Sequence, residues 1–124
     1  MARGRGTRGE RARQSMANFE ARTSAGDGRI TVSLAGECDL SAREHLTAVL
    51  LDAVHRARAV FVDLAGLTFL DSSGVHSLIT AHHAAKHTGS RVYVTDAAGP
   101  VAAVLQLTGL DVLLGAPAEE RRHA

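Results

Sequence analysis

The sequence predicts one α/β domain, a mixed sheet of four to five strands with helices packed on it. Three observations lead there. Apolar residues alternate at every second position between residues 18 and 35 and again near residue 92, the spacing of half-buried strands. In between they recur at i, i+3, i+4 and i+7, the spacing of helices. The two periods take turns along the chain, the order that makes crossovers between neighbouring strands.

The totals agree with a domain of this kind. At 124 residues, 45% hydrophobic and 22% charged, the chain is long enough to bury a core without disulfides or metal. Aromatics make up only 3%, so Ala, Val and Leu must fill that core. No stretch approaches the ~20 apolar residues of a membrane helix, and the basic start lacks the apolar run of a secretory signal. A cytoplasmic protein with no membrane contact is expected. The single cysteine, Cys38, has no cysteine partner for an internal disulfide or a thiolate metal site and is expected to be a passive thiol.

The net charge of +1 hides an asymmetry. Residues 1–16 hold Arg3, Arg5, Arg8, Arg11 and Arg13 against Glu10, a local charge of +4, which leaves −3 for the rest. This Arg- and Gly-rich stretch has no apolar periodicity and is expected to be a disordered leader. Clustered arginines also suit nucleic acid, but no aromatic is interleaved for stacking on bases. No direct nucleic-acid contact is expected. The folded domain is placed at residues 17–116, with a short polar tail or helix over residues 117–124.

Each element has its own warrant. Phe19, Ala21 and Thr23 alternate with Glu20 and Arg22; Ile30, Val32 and Leu34 alternate with Thr31 and Ser33; Gly26-Asp27-Gly28 lies between. That pattern is a hairpin with one buried face. Residues 36–40 form a connecting loop, and Ser41 with Glu44 makes a capping-box signature. Leu46, Val49, Leu50, Ala53, Val54 and Ala57 then trace one face of a helix ending near Arg58. Residues 60–64 (Val, Phe, Val, Asp, Leu) are the short, nearly continuous apolar run of a central strand. A second helix over residues 73–87 turns Val75, Leu78, Ile79 and Ala85 inward and exits at Gly89. Residues 91–95 alternate again as a strand. Pro100 suits the first turn of a third helix that Gly109 ends, and residues 112–114 are expected to add an edge strand.

The stretch on which chemistry converges is Leu67-Thr68-Phe69-Leu70-Asp71-Ser72-Ser73-Gly74-Val75. A buried strand runs out, capping residues come next, and a helix begins. A hydroxyl there sits beside unpaired N–H groups where the helix dipole favours negative charge, a natural place for a phosphate. Catalysis is a poorer reading. Ser72 has Gly74 two residues on, but Leu70 stands where a nucleophile elbow needs its first glycine, and His76 has no third group to orient it. His83 and His87 have the i, i+4 spacing of a zinc clamp but lack the third ligand and the glutamate of the metalloprotease motif. Glu37 and Asp39 have no general acid or metal beside them. Neither Gly-x-x-x-x-Gly-Lys nor Gly-x-Gly-x-x-Gly occurs, so no nucleotide motif is present. A non-enzymatic protein with no catalytic residues, no metal and no cofactor is expected.

Three separated pieces resemble the STAS domain family, and within it the bacterial anti-sigma factor antagonists, or anti-anti-sigma factors. They are Leu34-Ala35-Gly36-Glu37-Cys38-Asp39, Val62-Asp63-Leu64 through Phe69-Leu70-Asp71-Ser72-Ser73-Gly74, and Leu107-Thr108-Gly109-Leu110, in that order. The resemblance covers about residues 17–115. It implies a phosphoacceptor at Ser72, the serine directly after the aspartate. The implied partner is an anti-sigma factor that is also a serine kinase, which gives up its sigma factor on docking; a serine phosphatase acting on phospho-Ser72 would reverse the modification. Asp39, Asp71, Ser73, Gly74, Val75 and His76 are the implied docking residues, with Gly74 allowing close approach of the partner. His76 stands where many relatives have a small residue, and a histidine there brings pH sensitivity to docking. Other STAS domains are not phosphorylated and serve as scaffold subunits of transport or sensory complexes, which is the alternative function.

Overall fold

Five strands lie side by side in chain order, β1-β2-β3-β4-β5. The computed structural model of the chain describes residues 11–16 and 18–117. β1 (Arg11–Met16), β2 (Phe19–Gly26) and β3 (Arg29–Cys38) are antiparallel neighbours, and β3, β4 (Ala59–Leu70) and β5 (Arg91–Thr95) are parallel. Helix α1 (Arg43–Arg56) joins β3 to β4 and α2 (Ser72–Thr88) joins β4 to β5; α3 (Gly99–Thr108) and the one-turn α4 (Leu110–Leu113) complete the order. The mixed α/β architecture expected from the sequence is the one observed.

The pleat explains which residues face the helices. Ile30, Val32 and Leu34 on β3, Val60, Val62 and Leu64 on β4 and Val92 on β5 share one core with Leu46, Leu50, Leu78, Val101 and Leu105 from the helices. Side chains one position out of phase point to the other side. There Phe61, Tyr93 and Ala116 form a small separate cluster, beside the half-buried Thr31, Ser33 and Asp63. Truncating a fully buried core residue such as Leu50 to alanine costs roughly 2–5 kcal/mol.

Four expectations need correction. The stretch assigned to a disordered leader is in part a strand: Arg11–Met16 pairs with β2 from Arg11↔Ser24 to Met16↔Phe19, while residues 1–10 lie outside the described residues, as do residues 118–124 of the predicted tail. An edge strand is held by backbone hydrogen bonds and needs no apolar run, so periodicity alone misses it. Residues 112–114 add no strand. Most of that stretch is helical in α4, and the chain rejoins the sheet only through an isolated Val94↔Gly115 bridge, with Val94 N–H donating to Leu114 O at 2.9 Å. β4 runs on six residues past Leu64, because β3 goes on pairing with it through Gly36↔Leu67 and Cys38↔Leu70. Finally, no Ser41–Glu44 capping box forms. Asp39 caps a three-residue 3₁₀ turn (Leu40–Ala42), and α1 begins after Ala42 without a side-chain cap.

Candidate functional site

The site lies where the parallel strands β3 and β4 end side by side. Cys38 is opposite Leu70, and Asp71 N–H donates to Cys38 O at 3.3 Å. Each strand is succeeded at once by an aspartate, so the chain makes the same turn twice. Asp39 has φ −113° and ψ −169°, and Asp71 has φ −111° and ψ −169°. The carboxylate of Asp39 accepts from Ser41 N–H at 3.0 Å, and that of Asp71 from Ser73 N–H at 2.9 Å. In both, a short acid satisfies an N–H that the first helical turn leaves unpaired.

The two turns part company after the aspartate. Behind Asp71 comes the 17-residue α2, with Ser72 as its exposed first residue. Behind Asp39 comes Leu40, 68% exposed on the short 3₁₀ turn. Phe69, opposite Glu37 in the sheet, is 44% exposed. Sequence reasoning passes over both as surface features, assigning Leu40 to a loop and Phe69 to a buried approach strand. The available signal is an apolar residue between the two polar residues of an Asp-x-Ser turn.

Beneath the turn, Gly74 is buried. A Cβ at this position would overlap Leu70 Cδ1 and stand 2.9 Å from Cys38 Sγ. Val75 is also buried, at 8% exposure. Gly74 and Val75, expected among the docking residues, are both packed into the domain: the glycine makes room for the residues that precede the two aspartates. Asp39, Asp71 and Ser73 are half-buried, and His76 is exposed.

Charge at the site derives from this packing. Burial pushes the Cys38 thiol up to about 12, with the carboxylates of Asp71 and Asp39 adding to the shift; such a thiol stays protonated and inert. The Ser41 hydroxyl, donating to Asp39 Oδ1 at 2.6 Å, holds the Asp39 carboxyl below its ordinary range, with backbone N–H groups reinforcing it against a smaller opposing effect of desolvation. The capping aspartates Asp39 and Asp71 place two carboxylates at the strand ends beside Ser72.

Helix α2 is fixed to α1 by hydroxyls. Ser77, fully buried, shares a 2.7 Å hydrogen bond with Thr47 Oγ1 and donates to Arg43 O at 3.3 Å and Ser73 O at 3.3 Å. On the surface above, Leu40, Arg43, Glu44, Thr47, His76 and Thr80 line a groove between the two helices. Further along α2, His87 Nδ1 is engaged by the His83 carbonyl at 2.9 Å, and among the described residues no three His, Cys, Asp or Glu side chains are grouped to hold a metal ion. None of the helices among those residues is long and apolar enough to cross a membrane.

Comparison with known proteins agrees with this geometry. A family model described as "Mlab, STAS domain" matches residues 21–115. A search of curated proteins returned no match. Among solved structures, the chain aligns with the unphosphorylated anti-sigma factor antagonist SpoIIAA at a TM-score of 0.69 and 23% identity, over 82% of this chain and 91% of that one. An anti-sigma factor antagonist from Mycobacterium paratuberculosis gives 0.59 and 28%, over 77% and 82%. A sulfate transporter family protein from Wolinella succinogenes gives 0.61 and 16%, over 71% and 72%.

Proposed function

The chain belongs to the STAS domain family, and from that premise we propose that it is an anti-sigma factor antagonist switched off by phosphorylation of Ser72. The observation that carries this reading is the exposed Ser72 hydroxyl at the first position of a helix whose cap, strand and underlying packing are all fixed. A modifying enzyme can reach that oxygen without unfolding anything.

In the unmodified state the Ser72 turn, with Leu40 and Phe69 as apolar flanks and the exposed His76, docks on an anti-sigma factor serine kinase, which then releases its sigma factor. The kinase transfers the γ-phosphoryl group of ATP to Ser72 Oγ: the new O–P bond replaces the bond to ADP, and the hydroxyl proton leaves to a base on the kinase. The phosphate adds about −1.5 to −2 charges near neutral pH, beside Asp71 and Asp39. Repulsion and bulk then weaken docking. A serine phosphatase acting on phospho-Ser72 restores the active form. The protein itself catalyses nothing in this scheme and works in the cytoplasm.

Incubation with an anti-sigma kinase and ATP, followed by mapping of the phosphate by mass spectrometry, tests the switch; no label at Ser72 with the cognate kinase rejects it. The electrostatic account is tested apart from that. Ser72→Asp is expected to lower kinase affinity at least about tenfold, while Ser72→Ala retains it, and equal affinities reject the account.

A second reading is a STAS scaffold subunit of a transport or sensory complex, with Ser72 left unmodified. It is favoured by the Mlab description of the matching family model and by the similarity in fold to the sulfate transporter family protein. Recovery of a permease and no kinase with the protein purified from its own cells would select it.

A further inference from the structure

The large apolar side chains left exposed among the described residues fall in two groups. Leu40 and Phe69 flank the Ser72 turn, whereas Leu107, Val112 and Leu113 lie on α3 and α4 at 88%, 82% and 53% exposure. The second group shares no residue with the turn.

These two helices are apolar on both sides. Val101, Leu105, Leu110 and Leu114 are their buried inner face, and Leu107, Val112 and Leu113 are what the core leaves over outside. A helix that is hydrophobic all round is ordinarily buried all round; this pair is buried on one side only. The patch is also held in shape. Gly109, at φ +79°, ends α3 and caps the start of α4, a left-handed conformation that glycine adopts without strain. Leu113 N–H donates to Gly109 O at 3.1 Å and Leu114 N–H to Leu110 O at 2.8 Å. Val94 N–H then donates to Leu114 O at 2.9 Å, which ties the end of α4 to β5. Leu107 and Val112 thus stand on either side of one tight turn and belong to one surface.

Charge decides what that surface fits. Between Asp96 and Pro117 the sequence has a single ionisable side chain, Asp111, although 22% of the whole chain is charged. The outer surfaces of α1 and α2, by contrast, expose Arg43, Glu44, Asp52, Arg56 and Lys86. A two-fold contact sets a surface against its own copy, so its charges are brought up to their like. A nearly uncharged apolar patch meets that condition, with only Asp111 to be kept at the rim. A membrane-seated helix needs Lys or Arg on its polar side, and here the one charge is an acid that anionic headgroups repel. A partner selected by charge has little to read. We propose that the α3–α4 face joins a second copy of this chain in a two-fold dimer. The dimer does not rest on the function proposed for Ser72. A patch centred on three large apolar side chains is at the small end of interfaces, below about 1,200 Å² in total, so association is weak, with a dissociation constant on the order of 100 µM.

Sedimentation equilibrium of the full chain from about 10 µM to about 1 mM tests the dimer. A reversible monomer–dimer equilibrium is expected. Leu107→Glu and Val112→Glu should each raise the dissociation constant at least about tenfold, because two-fold symmetry buries each new carboxylate twice. Both positions are exposed, so the urea unfolding midpoint should stay that of the parent chain. Leu40→Glu, in the other exposed group, is the contrast and should leave the equilibrium unchanged. A chain that stays monomeric over the whole range overturns the proposal. So does a dimer that neither Leu107→Glu nor Val112→Glu weakens, or that Leu40→Glu weakens as much as they do. It is equally overturned if the chain stays monomeric and sediments through Leu107 with vesicles of phosphatidylcholine and phosphatidylglycerol, which would make the face a membrane contact.

Discussion

The turns at Asp39 and Asp71 share backbone angles and a capping hydrogen bond, yet the residue each displays is opposite in kind. One presents Leu40 and the other Ser72. Asp39 leads into a three-residue 3₁₀ turn, whereas Asp71 starts a 17-residue helix. The difference separates what the fold demands from what is left open to function. Capping the end of a strand demands the aspartate and the N–H two residues on; it places no demand on the residue between them. A function can be assigned to that middle position without disturbing the fold, and Ser72 occupies it on the longer and better-anchored helix.

The sharpest way to break this comparison is to exchange the hydroxyls. With an anti-sigma kinase and ATP, Ser72→Ala is expected to lose all incorporated phosphate and Ser41→Ala none, measured by intact-mass spectrometry. Equal labelling of the two variants would mean that the kinase does not distinguish the turns. Next in size is the residue three positions after each aspartate, Ala42 in one turn and Gly74 in the other. Gly74→Ala should lower stability by about 1–3 kcal/mol in urea unfolding, because overpacking against Leu70 and Cys38 outweighs the helix-propensity gain of about 1 kcal/mol. A rise in the unfolding midpoint would show that the room under α2 is not needed.

Smaller effects separate the caps. Asp71→Ala should cost about 1 kcal/mol of stability, and Asp39→Ala less, because Asp39 caps only a short turn; the reverse order would contradict the assignment of α2 as the anchored helix. The smallest effect is one of pH. The Asp39 carboxyl is held below its ordinary value of 3.8 in the folded protein. Its contribution is therefore complete above that value and is lost as the pH falls through the lower, folded-state value. Asp39→Asn should flatten the acid limb of the stability curve there, and an unchanged limb would assign the pH dependence to other carboxylates.

Much of the fold is legible in the sequence. The hairpin, the central strand, the helices and the strand at residues 91–95 announce themselves through apolar period, glycine exits and Pro100. Ser72 and Asp71 are legible because capping chemistry is local. The features that escape depend on partners distant in sequence. β1 is defined by its pairing with β2, and the last six residues of β4 extend because β3 is beside them. The role of Gly74 is set by Cys38, a residue 36 positions away in sequence that only the sheet register brings near. Leu40 and Phe69 show the converse error. Hydrophobicity predicts burial for Phe69, and only the packed structure reveals which apolar residues are left outside.

The buried Ser77 hydroxyl bears on what the proposed phosphorylation of Ser72 would do to the domain. Five residues into α2, it is bonded to α1 through Thr47 and Arg43. Rotating or sliding α2 would strip that hydroxyl of its partners at a cost of about 1–3 kcal/mol and would also disturb the fit of Gly74 under the turn. The domain is therefore built as a token to be stamped and not as a lever: the proposed phosphate on Ser72 would alter its face, while the body that carries it keeps its shape.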